Sequence, residues 1–124
     1  MTIYALSSGS GVSGIAVIRV SGKNTAEVIK KLTGSKLPRP RVATLKKFNK
    51  NGQKSLIDEG VIIWFPAPNS YTGEDLAEFH VHGSRAVINA MQLAISKIKN
   101  CRLAEPGEFT KRAFQNGRIN LLKA

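Results

Sequence analysis

Three side chains with chemistry to offer recur at every second position between Leu76 and His82: Glu78, His80 and His82. In a strand they share one face with Leu76, while Ala77, Phe79 and Val81 take the other. A carboxylate beside two imidazoles suits a ligand site, and it equally suits the solvated face of an antiparallel strand. His-x-His without a third ligand is a poor metal signature. Arg19 lies in Ile15-Ala16-Val17-Ile18-Arg19-Val20, a run otherwise apolar. A guanidinium there either reaches solvent at the strand end or is held as an anion-binding fork, and the glycine-rich loop that begins the same strand favours the fork. Arg118 follows a turn at Asn116-Gly117.

The elements that must position these residues can be read in order. Ile3 to Leu6 is a short strand, and Ser7 to Gly14 a loop of small residues that lacks both the P-loop and the dinucleotide-binding glycine patterns. Ile15 to Val20 is expected to be an inner strand covered on two sides. Lys23 to Leu32 has helical spacing, a capping-box-like start at Asn24 and Glu27, and a stop at Gly34. A basic link, Ser35 to Arg41, leads to two strands, Val42 to Phe48 and Leu56 to Phe65. Asn51-Gly52 between them signals an antiparallel hairpin, and the apolar run Val61 to Phe65 is expected in the core.

Two prolines and Gly73 make Pro66 to Gly73 a loop over one end of the sheet. After the Leu76–His82 strand, Ser84 is placed to cap a helix over Arg85 to Lys99. Its apolar stripe is Val87, Ile88, Met91, Ala94, Ile95 and Ile98, with Leu93 off the stripe. A third helix starts at Glu105-Pro106-Gly107-Glu108, carries Phe109 and Ala113, and stops at Asn116-Gly117. The pattern predicts one α+β domain, a mixed sheet of about five strands with about three helices.

At 124 residues and 42% apolar content the chain suits a single globular domain. No apolar run reaches roughly eighteen residues, and the first residues lack the basic start of a secretory signal, so a cytoplasmic protein without membrane association is expected. Its one cysteine, Cys101, is read as a small apolar residue near a helix end. The net charge of +11 argues for an anionic partner, nucleic acid or a polyanionic small molecule, or else a merely soluble basic surface.

Three long motifs, G-I-A-V-I-R-V-S-G (14 to 22), W-F-P-A-P-N-S-Y-T-G-E-D-L-A-E-F-H-V-H-G (64 to 83) and P-G-E-F-T-K-R-A-F-Q-N-G-R-I-N-L (106 to 121), resemble in order the N-terminal domain of the MnmE/TrmE family. The resemblance implies a tetrahydrofolate-binding and dimerisation domain over residues 1–118, with residues 119–124 beginning a linker or helical domain. By motif position it assigns folate binding to Arg19, Glu78 and Arg118, the last a lysine in many members. The expected ligand is 5-formyltetrahydrofolate or 5,10-methylenetetrahydrofolate near a homodimer interface.

The resemblance further implies a tRNA wobble-uridine modification GTPase that acts with an MnmG-type flavoprotein partner to install a carboxymethylaminomethyl-type group. GTP, Mg2+ and K+ would belong to a G domain beyond Ala124, so this chain alone is not expected to hydrolyse GTP. The chemistry of the residues agrees: a carboxylate such as Glu78 can accept the adjacent N–H donors of a pterin ring, and Arg19 and Arg118 can meet the carboxylates of a folate tail. The competing reading is a small basic RNA-binding domain, which lacks an RNP-like aromatic strand or a G-x-x-G turn. A metal-dependent hydrolase built on His80 and His82 is a third.

Overall fold

Burial alternates along the central strands, and that alternation decides which way the sheet faces. A computed structural model describes residues 1–7, 14–51 and 54–119. Six strands form one sheet: β1 (Thr2–Leu6), β2 (Ile15–Ser21), β3 (Thr44–Asn49), β4 (Leu56–Phe65), β5 (Leu76–His82) and β6 (Cys101–Leu103). Their order is β3-β4-β5-β2-β1-β6; every pair is antiparallel except β1 with β6. Three helices, α1 (Thr25–Thr33), α2 (Arg85–Ser96) and α3 (Glu108–Gln115), complete an α+β fold.

One sheet face is closed. Ala16, Ile18 and Val20 of β2 meet Ala77, Phe79 and Val81 of β5, Ile62 and Trp64 of β4, and Phe48 of β3. Val28, Ile29 and Leu32 of α1 and Met91, Ala94 and Ile95 of α2 cover them. Phe48 and Phe79 meet edge to face, ring centroids 5.3 Å apart, a geometry that aligns a positive ring edge with a negative ring face. Leu93, off the apolar stripe, is exposed as its position on the helix dictates.

The other face is only partly covered, which corrects two expectations. β2 is an inner strand of the sheet, but Ile15 is 58% exposed and Val17 and Arg19 are half-buried. In the run from Val61 to Phe65, only Ile62 and Trp64 are buried. Both segments are apolar enough to be enclosed twice, yet α1 and α2 lie on one side of the sheet only.

Several local differences have visible causes. Asn24 makes no side-chain cap; its Nδ2 donates to the Lys99 carbonyl at 2.9 Å, and the Thr25 hydroxyl donates to the Gly22 carbonyl. Ser84, by contrast, caps α2 by accepting from the Val87 N–H. That helix ends at Ser96, although Ile98 beyond it is still buried. β3 begins at Thr44, because Arg41 sits at φ 66 with its N–H bonded to the Trp64 carbonyl, which turns the chain just before pairing starts. Cys101 opens β6, a strand too short to show periodicity, and burial pushes its thiol up. The β3–β4 pair forms as the hairpin signal requires; Gly52, the glycine loop at 8–13 and the segment 120–124 lie outside the described residues.

Candidate functional site

Arg19 and Glu78 are register partners on neighbouring strands, both directed away from the core face. Arg19 Nη2 donates to Glu78 Oε2 at 3.1 Å, and His80 Nε2 lies 3.1 Å from Glu78 Oε1. The guanidinium carbon is 5.4 Å from the Tyr71 ring centroid and 6.0 Å from that of Phe109, distances at which an aromatic face attracts a cation. Among the described residues, Arg19 Nε is buried and has no hydrogen-bond partner. Burying an N–H donor without a partner costs about 1–3 kcal/mol, so such an atom calls for an acceptor.

The loop between β4 and β5 builds the wall in front of this pair. Thr72 is fully buried, its hydroxyl 2.7 Å from that of Ser21, and the Ser70 hydroxyl donates to the Glu74 carbonyl. Gly73 adopts φ +80, where an added Cβ would lie 2.9 Å from Asn116 Cβ. Glycine is required there both for the backbone and for the close approach. Asp75 accepts from the Ala67 N–H at 2.8 Å, which closes the loop on itself.

The segment that includes α3 locks this loop in place. Arg112 donates to Glu74 at 3.1 Å and to the Met1 carbonyl at 2.8 Å, while Asn116 Nδ2 donates to the Thr72 carbonyl. Arg118 Nε donates to the Ser70 carbonyl at 3.1 Å. Glu108 joins Arg102 and Arg112; chiefly through the hydrogen bond from Arg102, its carboxyl is lowered to about 2. The motifs N-S-Y-T-G-E-D and P-G-E-F-T-K-R-A-F are thus two halves of one hydrogen-bonded unit.

Between this unit and the sheet lies a cavity of about 290 Å³ lined by Phe65, Asn69, Ser70, Tyr71, Leu76 and Glu78, with Arg41 and Arg118 supplying cations. Two of the three expected site residues, Glu78 and Arg118, line it together. Arg19 stands behind Glu78, bonded to its carboxylate. Arg41 was not anticipated as a site residue: Nη1 donates to the Asn69 carbonyl at 2.7 Å and its guanidinium lies 5.6 Å from the Phe65 ring centroid. Its only sequence signal was membership of the basic Arg39-Pro40-Arg41 group.

His82 lies apart from this arrangement, its Nδ1 2.9 Å from Asp58 Oδ1, while its backbone N–H donates to Asp58 Oδ2. Among the described residues no group of three or more His, Cys, Asp or Glu side chains is arranged to hold a metal ion. No helix of the described residues is long and apolar enough to cross a membrane.

The fold and cavity define a small α+β domain whose one mixed sheet carries a carboxylate–guanidinium pair behind a loop-built pocket. The chain belongs to the family described as the N-terminus of GTP-binding protein TrmE, which it matches over residues 2–118. It is 71% identical over 124 residues to the tRNA modification GTPase MnmE of Pelagibacter ubique, covering all of this chain and 28% of that protein. It is 50% identical over 120 residues to the mitochondrial 5-taurinomethyluridine-[tRNA] synthase subunit GTPB3 of Danio rerio, covering 97% of this chain and 24% of that protein. A tRNA modification GTPase MnmE from Parvibaculum lavamentivorans is 49% identical over 120 residues, with coverage of 97% and 27%. The chain therefore spans about a quarter of the length of these relatives.

Proposed function

We propose that this chain is the one-carbon tetrahydrofolate-binding and dimerisation module of a tRNA wobble-uridine modification GTPase. The observation that carries the reading is Glu78, a carboxylate facing a cavity and fixed from behind by Arg19. A carboxylate has about four lone-pair sites, so bonds from Arg19 and His80 leave capacity for the two adjacent N–H donors of a pterin. Phe65 and Tyr71 supply flat apolar walls, and Arg41 and Arg118 supply cations for the glutamate carboxylates. Arg19 positions Glu78 through the Nη2–Oε2 bond.

The cavity lies near the lower end of the roughly 300–1,000 Å³ typical of small-molecule sites, room for a bicyclic head rather than a whole folate. A bound 5-formyltetrahydrofolate or 5,10-methylenetetrahydrofolate would extend beyond it, and a second copy of the chain would enclose the rest. The partly open sheet face supports such pairing, with Ile15 and Leu45 exposed and Val17, Val61 and Ile63 half-buried. When bound, the folate supplies the one-carbon unit. The chain's own residues bind and orient it.

The names of the relatives support extending this reading to tRNA modification by a GTPase in a longer protein; we further propose GTP, Mg2+ and K+ at a separate G domain, an MnmG-type flavoprotein as partner, and a place in the cytoplasm. Thermal melting with and without saturating 5-formyltetrahydrofolate tests the binding reading, since a ligand that binds only the folded state raises the melting temperature. An unmoved melting temperature at millimolar ligand would count against it. Sedimentation in the presence of folate tests the pairing; a monomer at high protein concentration would remove it.

A further inference from the structure

From Val28 to Ile57 the chain carries nine Lys and Arg and not one Asp or Glu. The fold gathers residues 28–51 of this stretch at one place. It comprises most of α1, the link and β3, an edge strand of the sheet against which α1 packs. Along β3, Phe48 enters the core, so Lys46 points to the α1 side and Lys47, one residue on, to the opposite side. Lys50 continues the line at the strand's end and shares a cavity of about 210 Å³ with Lys97, just past α2. Three acids lie near this region: Glu27 is 3.5 Å from Lys31, while Glu59 and Asp58 on β4 lie across from Lys47 and Phe48 in register, Asp58 being paired with His82. Among the described residues, no ion pair within 4.0 Å involves Lys46, Lys47 or Lys50.

Lysine on an edge strand also guards against edge-to-edge pairing of sheets. That duty accounts for Lys46 and Lys47, but not for the cations that continue through α1 and the link. We propose that the β3 edge, with the C-terminal half of α1 and the link between them, is a docking surface for the phosphate backbone of RNA. Ammonium groups on both sides of one strand edge can meet phosphates that pass along that edge, and point charges without a forked geometry suit contacts that position a nucleic acid without reading its bases. Choosing RNA among polyanions rests on the tRNA reading above. The surface meets the Glu78 cavity at Arg41, which every variant below leaves unchanged, so the two assignments fail independently.

The test is fluorescence anisotropy of the chain with unfractionated tRNA across a range of KCl concentrations. Compare Lys46→Gln/Lys47→Gln/Lys50→Gln with a control of equal charge, Lys23→Gln/Lys99→Gln/Lys111→Gln. Each phosphate neutralised by a lysine contributes roughly 0.7–0.9 to the slope of log affinity against log salt, so the β3 variant should lose about 2 from the slope and roughly tenfold or more in affinity at low salt. The control should stay within about threefold of the parent. Equal losses in both variants would show that only net charge matters and would overturn the proposal, as would no loss in either. Polyglutamate competing as well as tRNA at equal charge would assign the surface to acidic protein instead. Should circular dichroism show the triple variant unfolded, Lys47→Gln/Lys50→Gln, both at exposed positions, should still lose about 1.5 from the slope. Folate-dependent melting should be unchanged in folded Lys46→Gln/Lys50→Gln, whose changes avoid the sheet face that carries Leu45.

Discussion

Arg19 and Glu78 face each other across the β2–β5 pair, Nη2 to Oε2 at 3.1 Å, with the guanidinium 5.4 Å from the Tyr71 ring centroid and 6.0 Å from that of Phe109. Their alignment follows from strand register, so the carboxylate is fixed by the sheet rather than by the loop in front of it. Tyr71 comes from that loop and Phe109 from α3. One guanidinium therefore ties together the three segments that build the pocket.

Replacing Glu78 with Ala should weaken 5-formyltetrahydrofolate binding by roughly one to two decades, the equivalent of about 1.5–3 kcal/mol for a lost charge-assisted pair. Glu78→Gln should lose nearly as much, because an amide presents one acceptor where a pterin needs two. Calorimetry on folded variants reads the effect, and unchanged affinity would remove Glu78 from the site.

Arg118 and Arg41 are expected to serve the glutamate tail. Arg118→Ala and Arg41→Ala should each shrink the preference for polyglutamylated over monoglutamylated folate, and the shrinkage should fade at high salt. If neither variant alters that preference, the tail is held elsewhere. Arg19→Ala should behave differently, lowering stability and affinity for both ligands alike.

Gly73→Ala should destabilise the domain by about 1–3 kcal/mol, the range for a residue forced into a sparsely populated backbone region. The new methyl would also press on Asn116 and Arg118, so folate affinity should fall several-fold. Denaturant unfolding and a ligand titration on the same protein separate the two effects.

Glu108 makes stability depend on pH in a definite direction. Its folded carboxyl is held at about 2 against an ordinary 4.5, so its contribution is complete above pH 4.5 and is lost as pH falls through 2. Glu108→Gln should therefore melt below the parent at pH 7, with the gap narrowing between pH 4.5 and pH 2. A gap that stayed constant over that window would mean that the pairs with Arg102 and Arg112 do not stabilise the fold.

Much of this could be read from the sequence, because alternation and helical spacing report burial directly. The polar face of β5, the Ser84 cap and the apolar stripe of α2 all lie where their spacing put them. The motifs also singled out Arg19, Glu78 and Arg118, of which Glu78 and Arg118 line one cavity and Arg19 bonds Glu78. What spacing cannot show is contact between distant segments. Arg41 reaches Asn69 across 28 positions, and Phe109 reaches Arg19 across most of the chain. Nor does an apolar run reveal how many layers cover it, which is why β2 and the end of β4 looked enclosed on both faces. β6, with three residues, is held by pairing with β1 and carries no pattern of its own.

The most direct test of the folate reading is calorimetric titration of 5-formyltetrahydrofolate into the folded chain. The expected result is saturable binding with one ligand per chain, weakened in Glu78→Ala. No heat and no competition with a fluorescent folate, up to millimolar ligand and in protein shown to be folded, would contradict it.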